Sequence, residues 1–415
     1  MAKPVRKKPA AAAASRKRPA RPSAHRRKWP LWLAGALIVL LALAIAFLAL
    51  APGIAERSMN RVEGSGLWRV EPEVAALHEN LLVADLHADS LLWNRDLTSE
   101  AARGHVDLPR LAEGNVAIQV FGSVTKTPTG QNYDANSADS DNITALVVAQ
   151  LQPPRTWTSL LQRSLYHAEK LHAAEQGGSL RVVRTSADLR DVLAARAGGA
   201  DVIAGLLAVE GLHNLEGELD NLDRLFDAGY RMAGLTHFFD NDLAGSMHGV
   251  EKGGLTSLGR SVVRRMEALG MTVDVAHLSH EGTAEVLAMA RRPVVVSHGG
   301  AQAVCDVNRN LTDEEIRGVA ATGGVIGVGF WDGAVCQPTP QATARTIRYI
   351  RDLVGIDHVG LGSDFDGAVT TGFDAGGMAA VTQALVDQGF TQPEIRAVMG
   401  ENVRRLLMEN LPAGG

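Results

Sequence analysis

The chain has 415 residues, 46% of them hydrophobic and 21% charged, enough to bury a large core and within the range of a single α/β barrel. Its net charge of −5 conceals an asymmetry, because Arg6, Lys7, Lys8, Arg16, Lys17, Arg18, Arg26, Arg27 and Lys28 crowd a start that holds no acidic residue. The remainder is therefore distinctly acidic, which argues against nucleic acid as a partner.

Residues 1–28 are rich in Ala, Pro, Lys and Arg and predict a disordered basic tail that stays in the cytoplasm. Residues 31–51 contain no charged side chain. At about 1.5 Å per residue such a run matches a bilayer core of about 30 Å. Trp29 and Trp32 stand where an interfacial anchor belongs, and the positive charge before them predicts a cytoplasmic N-terminus. A signal anchor over 29–52 is preferred to a cleaved signal peptide: the apolar run is too long, and Pro52 is a poor neighbour for cleavage after Ala51. Either way the body is expected outside the cytoplasm; as an anchor, the segment makes the protein single-pass and lipid-tethered through 31–51. Residues 53–80 read as a linker and first helix, and 81–410 as the catalytic body.

Eight apolar, β-branched runs follow: 82–86, 116–121, 202–209, 232–236, 271–276, 293–297, 324–330 and 358–362. Helical patterns separate most of them, at 219–228, 258–269, 282–290, 313–321, 341–353 and 393–408, with Ser279 and Thr312 placed to cap two. Strand then helix, repeated eight times, predicts a (β/α)8 barrel with buried parallel strands. A doubly wound sheet is the alternative, but no Gly-x-Gly-x-x-Gly turn follows the first strand. The rhythm breaks at 125–190, where polar turns lead into a helical stretch through Leu160, Leu161, Leu165, His167 and Leu171. This predicts a helical excursion beside the barrel mouth, a candidate lid.

The strand exits carry the chemistry. His87 and Asp89 end the first run, Glu210 the third, His237 the fourth, His277 the fifth, His298 the sixth and Asp364 the eighth. On an extended strand residues i and i+2 share a face, so the imidazole of His87 and the carboxylate of Asp89 leave side by side, as a divalent cation such as zinc requires. A barrel gathers all these exits into one ring. Three histidines, an aspartate and a glutamate exceed the three protein ligands of a one-zinc site and suit two ions about 3.5–4 Å apart. A bridging Glu210 leaves Asp364 free for proton transfer. Singly, each group has an ordinary reading as a cap, a core histidine or a solvated charge.

The segments AVEG, LTH, VDVAHLS, VVVSHGG, NRN and GLGSDFDG, in this order between residues 81 and 407, resemble the membrane dipeptidase family, the zinc dipeptidases of the amidohydrolase superfamily. The resemblance implies two zinc ions, with His87 and Asp89 on the first, His277 and His298 on the second, and Glu210 bridging. It implies Asp364 as proton shuttle, His237 toward the oxyanion, and Arg309 gripping the C-terminal carboxylate of a dipeptide substrate. Where the family has a pocket Tyr near the seventh strand, this chain has Phe330 and Trp331. Competing expectations are another binuclear amidohydrolase, acting on lactams, N-acyl amino acids or phosphoesters, and a non-catalytic envelope scaffold. A homodimer is compatible with the sequence. Cys305 and Cys336, not spaced as a CxxC pair, are expected to be buried free thiols.

Overall fold

The computed structural model describes residues 1–5, 31–64 and 66–414. Trp29 and residues 6–28 of the predicted basic tail lie outside the described residues. The chain divides into two units, Met1–Phe47 and Leu48–Gly415. One helix, Leu31–Met59, begins in the first and ends in the second. Up to Ile54 it is apolar all round, with Leu37, Ile38, Leu41 and Phe47 exposed, and it is long and apolar enough to cross a membrane. It also runs through Pro52 into the stretch expected to be linker. A proline removes one backbone donor, and the side chains of the last turn supply other contacts, described below.

The second unit holds the barrel. Its strands are β1 (Val83–Ala88), β2 (Val116–Val124), β3 (Ile203–Glu210), β4 (Tyr230–Gly234), β5 (Thr272–Asp274), β6 (Val295–Gly299), β7 (Val325–Val328) and β8 (Val359–Leu361). Every neighbouring pair is parallel, and Leu361 of β8 pairs with Asp85 of β1, which closes the ring. All eight are buried along their whole length, which is why each reads as an unbroken apolar run. One short strand not foreseen, Leu180–Val182, pairs with the start of β3 on the outside of this ring.

Helices Asp220–Asp227, Ser257–Leu269, His280–Met289, Asp313–Ala321 and Pro340–Val354 lie where the periodicity puts them. Ser279 accepts the Gly282 N–H at 3.0 Å, and Thr312 forms a capping box with Glu315. The expected helix 393–408 is instead three pieces, with Gly400 extended at φ 179°. A Cβ at Gly400 would strike the backbone carbonyl of Leu82, so the chain yields there to pack under β1. Within 125–190 two helices, Asn142–Ala149 and Leu160–Glu175, follow a polar loop, and a third, Ser186–Ala197, begins.

Candidate metal centre

The ring of strand exits converges as the alternation of β1 demands. His87 lies within β1 and Asp89 directly after it, Glu210 ends β3, and His298 lies in β6. His237, His277 and Asp364 each stand three residues beyond their strands, on the turns that follow β4, β5 and β8. His277 and Asp364 adopt left-handed backbone, φ 62° and 60°, a conformation that costs of order 1–3 kcal/mol and is common where function fixes a side chain. All seven are buried, with none more than 8% exposed.

Glu210 is the hub. Its Oε1 lies 3.0 Å from His277 Nε2, 3.3 Å from His298 Nε2 and 3.4 Å from His237 Nε2. Its Oε2 faces the other way, 3.6 Å from His87 Nε2, which is itself 3.3 Å from Asp89 Oδ1. One carboxylate thus presents one oxygen to three histidines and the other to His87 and its neighbour Asp89. Donor atoms cluster within 4.8 Å of one another in three overlapping sets: His87, Asp89 and Glu210; Glu210, His237 and His277; and His87, His298 and Asp364. His237 and Asp364 therefore stand among the five expected ligands, not apart from them.

The residues fit divalent cations. Buried His87 Nε2, Asp89 Oδ1 and Glu210 Oε2 have no hydrogen-bond partner, an expensive arrangement for protein alone. Nitrogen and oxygen donors in this mixture suit zinc or a similar ion. Burial foremost pushes His237, His277 and His298 well below the usual imidazole range, whereas Asp89 and Glu210 lift His87 well above it in spite of its burial. Burial and then the charge of Asp89 raise Glu210 to about 7. Burial lifts Asp364 well above the carboxylate range, with His87 opposing and Asp89 and Glu210 adding to the rise. Carboxylates crowded this closely favour a positive charge between them.

Arg309, 2% exposed, donates from Nη2 to the His298 carbonyl at 2.9 Å, and its guanidinium lies 5.5 Å from the Trp331 ring centre. Among the described residues no carboxylate forms an ion pair with it. A buried guanidinium in that state is a receptor for an anionic group.

Several site residues escape sequence reasoning. Asp85, two before His87 on β1, accepts from the Ser363 N–H and hydroxyl, both at 2.7 Å, and so pins the turn that carries Asp364. Alternation along D-L-H-A-D puts Asp85 on the same face and was the available signal. Gly122 passes so near that a Cβ there would strike Asp89 and crowd His87. Tyr133 comes from the 125–141 loop: its hydroxyl accepts from Trp331 Nε1 at 3.0 Å, and its carbonyl bonds His248 Nδ1 at 3.0 Å and Asn308 Nδ2 at 2.7 Å. The insertion thus brings a tyrosine against Trp331, just after the seventh strand. Asp366, two residues after Asp364, accepts from the Ser90 hydroxyl and the His105 N–H and pairs with Arg95.

Cys305 and Cys336 do not remain thiols. They form a disulfide with their Cα atoms 5.5 Å apart. Their loops follow the adjacent strands β6 and β7, a closeness that a sequence separation of 31 conceals.

Residues 71–411 match the model of the membrane dipeptidase family, peptidase family M19. An uncharacterised dipeptidase of Schizosaccharomyces pombe is 28% identical over 83% of this chain and 84% of its own. Dipeptidase verJ of Clonostachys rogersoniana is 31% identical over 73% of this chain and 75% of its own. Among solved structures, a metallopeptidase from Rhodobacter sphaeroides, liganded with a phosphinate mimic of the dipeptide L-Ala-D-Ala, superimposes with a TM-score of 0.63. It is 25% identical, over 80% of this chain and 99% of its own.

Proposed function

This chain belongs to the membrane dipeptidase family of metallopeptidases, and on that premise we propose that it is a two-zinc dipeptidase tethered to a membrane, with its active site outside the cytoplasm. His87 and Asp89 would hold one ion and His277 and His298 the other, with Glu210 shared between the two. The observation that carries this reading is Glu210, whose two oxygens face opposite donor sets. When bound, two such cations supply an activated water and polarise the amide carbonyl.

The protein's own groups do the rest. Arg309 takes the substrate's terminal carboxylate in a bidentate pair, which places the scissile bond and limits the substrate to a short peptide. His237 faces the oxygen on which charge develops. Asp364, whose carboxylate lies in one donor cluster with His87 and His298, receives the proton of the attacking water and passes it to the leaving amine. The ligand of the Rhodobacter sphaeroides relative supports a dipeptide substrate and extends the candidates to those ending in a D-residue. The apolar helix Leu31–Met59 supports the tether, and the disulfide supports an oxidising compartment.

The test is metal content and hydrolysis measured together on the full chain in detergent. Dipeptides of varied stereochemistry are set against N-acyl amino acids and phosphoesters. Near two zinc ions per chain and a preference for dipeptides are expected. Preference for an acyl or phosphoester substrate, or activity that survives complete metal removal, would sink the assignment.

A further inference from the structure

The stretch that leaves the membrane-type helix is built into the loop that carries Asp364. Glu56, 1% exposed on the last turns of helix Leu31–Met59, pairs with Arg95 and accepts from Arg103 Nε at 2.6 Å. The other arm of Arg95 pairs with Asp366 Oδ2, which also accepts from Ser90 Oγ at 2.6 Å. Asn60 Oδ1 accepts the Ala368 N–H at 2.8 Å. Arg61 and Val62 then run parallel with Thr370 and Thr371, and the Glu63 N–H donates to Thr371 O at 2.8 Å. Residues 56–63 thus grip the loop 366–371 directly at Ala368, Thr370 and Thr371, and through Arg95 at Asp366.

That loop needs gripping. Asp364, Asp366 and Ala368 all carry left-handed backbone, with φ of 60°, 63° and 62°, and none is glycine. Such a run persists only where its surroundings over-determine it. Asp85 fixes the near side through Ser363, and the far side is fixed by the contacts just named. The gripping segment lies before residue 71, where the match to the family begins.

We propose that residues 56–63 are a positioning element for the reaction: the end of the tether sets the orientation of Asp364, with Glu56 and Asn60 as its two fasteners. This rests on the reading of Asp364 as the proton shuttle. A carboxylate displaced by about 1 Å loses roughly ten- to a hundredfold in turnover, with little change in substrate capture, because Arg309 and the metal ligands stay in place.

The experiment compares Glu56→Gln, Asn60→Ala and Glu56→Asp in the full-length, zinc-loaded chain, with Arg57→Gln, exposed on the same helix, as control. Three quantities are read: kcat and KM for a dipeptide, zinc content, and hydrogen exchange of the amides at 364–371. Glu56→Gln is expected to speed exchange in that loop and lower kcat at least tenfold, with KM and zinc unchanged. Glu56→Asp recovers part of the loss, and Arg57→Gln behaves as wild type. Asn60→Ala shows the same pattern more weakly and carries the test should Glu56→Gln not fold. Loop exchange at the wild-type rate in the folded variants overturns the proposal. So does a loosened loop with kcat intact, which leaves the segment a structural strap only. A wild-type chain that binds zinc but cleaves no dipeptide, with the loop loosened as described, faults instead the reading of the reaction.

Discussion

Residue 122 lies on β2 where a single methyl group would meet Asp89 and His87. Glycine is needed there for clearance, since its φ is not left-handed. Gly122→Ala is therefore expected to leave the barrel folded while weakening metal retention by about ten- to a hundredfold, the usual effect of disturbing the support of a ligand. Zinc content after dialysis against a graded chelator measures it, and wild-type retention would show that the ligands have room to spare. Asp364 makes a sharper case. Asp364→Asn keeps the shape of the side chain and removes its proton chemistry, so both ions should remain while most turnover disappears. Near-normal kcat would move the shuttle elsewhere. Arg309→Ala removes a charge-assisted pair worth about 1.5–3 kcal/mol, so KM for dipeptides should rise about ten- to a hundredfold. A C-terminally amidated analogue, lacking the carboxylate, should change far less; equal effects on both would deny Arg309 its role.

At the scale of elements, the barrel was legible because strands covered on both faces must be apolar throughout, and the exits of β1, β3 and β6 stand out as polar residues ending apolar runs. Side chains that act across the ring without ending a run were not legible. Asp85 is hidden inside β1, and Tyr133 sits in a polar loop with no period to place it. Glu56 reads as the first charge after an apolar run, and only the fold shows it buried between Arg95 and Arg103. The helices outside the ring are tied to one another too, and the pair between His280 and Glu315, at 2.7 Å, joins two of them. The bond to Glu315 raises His280 above its ordinary value. Glu315, despite burial, is lowered by the bond to His280. A raised histidine adds stability that is complete below pH 6.5 and fades as pH climbs through the folded value. A lowered carboxylate adds stability that is complete above pH 4.5 and fades as pH falls through its own. The pair is strongest between those limits. With His280 half exposed, solvent screening reduces its worth to a few tenths of a kcal/mol. His280→Gln should therefore lower the denaturation midpoint slightly at pH 5.5 and not at pH 9; the same loss at both would show that packing, not charge, is at stake.

Across the whole molecule the charge, the apolar helix and the cysteines point to one arrangement. A basic start, an apolar segment long enough to cross a bilayer and a body closed by a disulfide together support the proposed maturation of that body where thiols are oxidised. The bridge between Cys305 and Cys336 spans 31 positions, so chain entropy alone assigns it about 3–4 kcal/mol. It also ties the loop bearing Arg309 to the one that follows Trp331. Asn310 ties the same two loops independently, donating from Nδ2 to the carbonyls of Cys305 at 2.9 Å and Ala334 at 3.0 Å. Replacing both cysteines by serine should therefore cost about 3 kcal/mol in denaturant unfolding, while kcat/KM falls only a few-fold because Asn310 still holds the mouth. Alkylation of intact cells, before any reduction, should find neither thiol reactive. Rapid labelling of both, with stability unmoved by the double substitution, would instead place the body in a reducing compartment and the N-terminal helix in some role other than export.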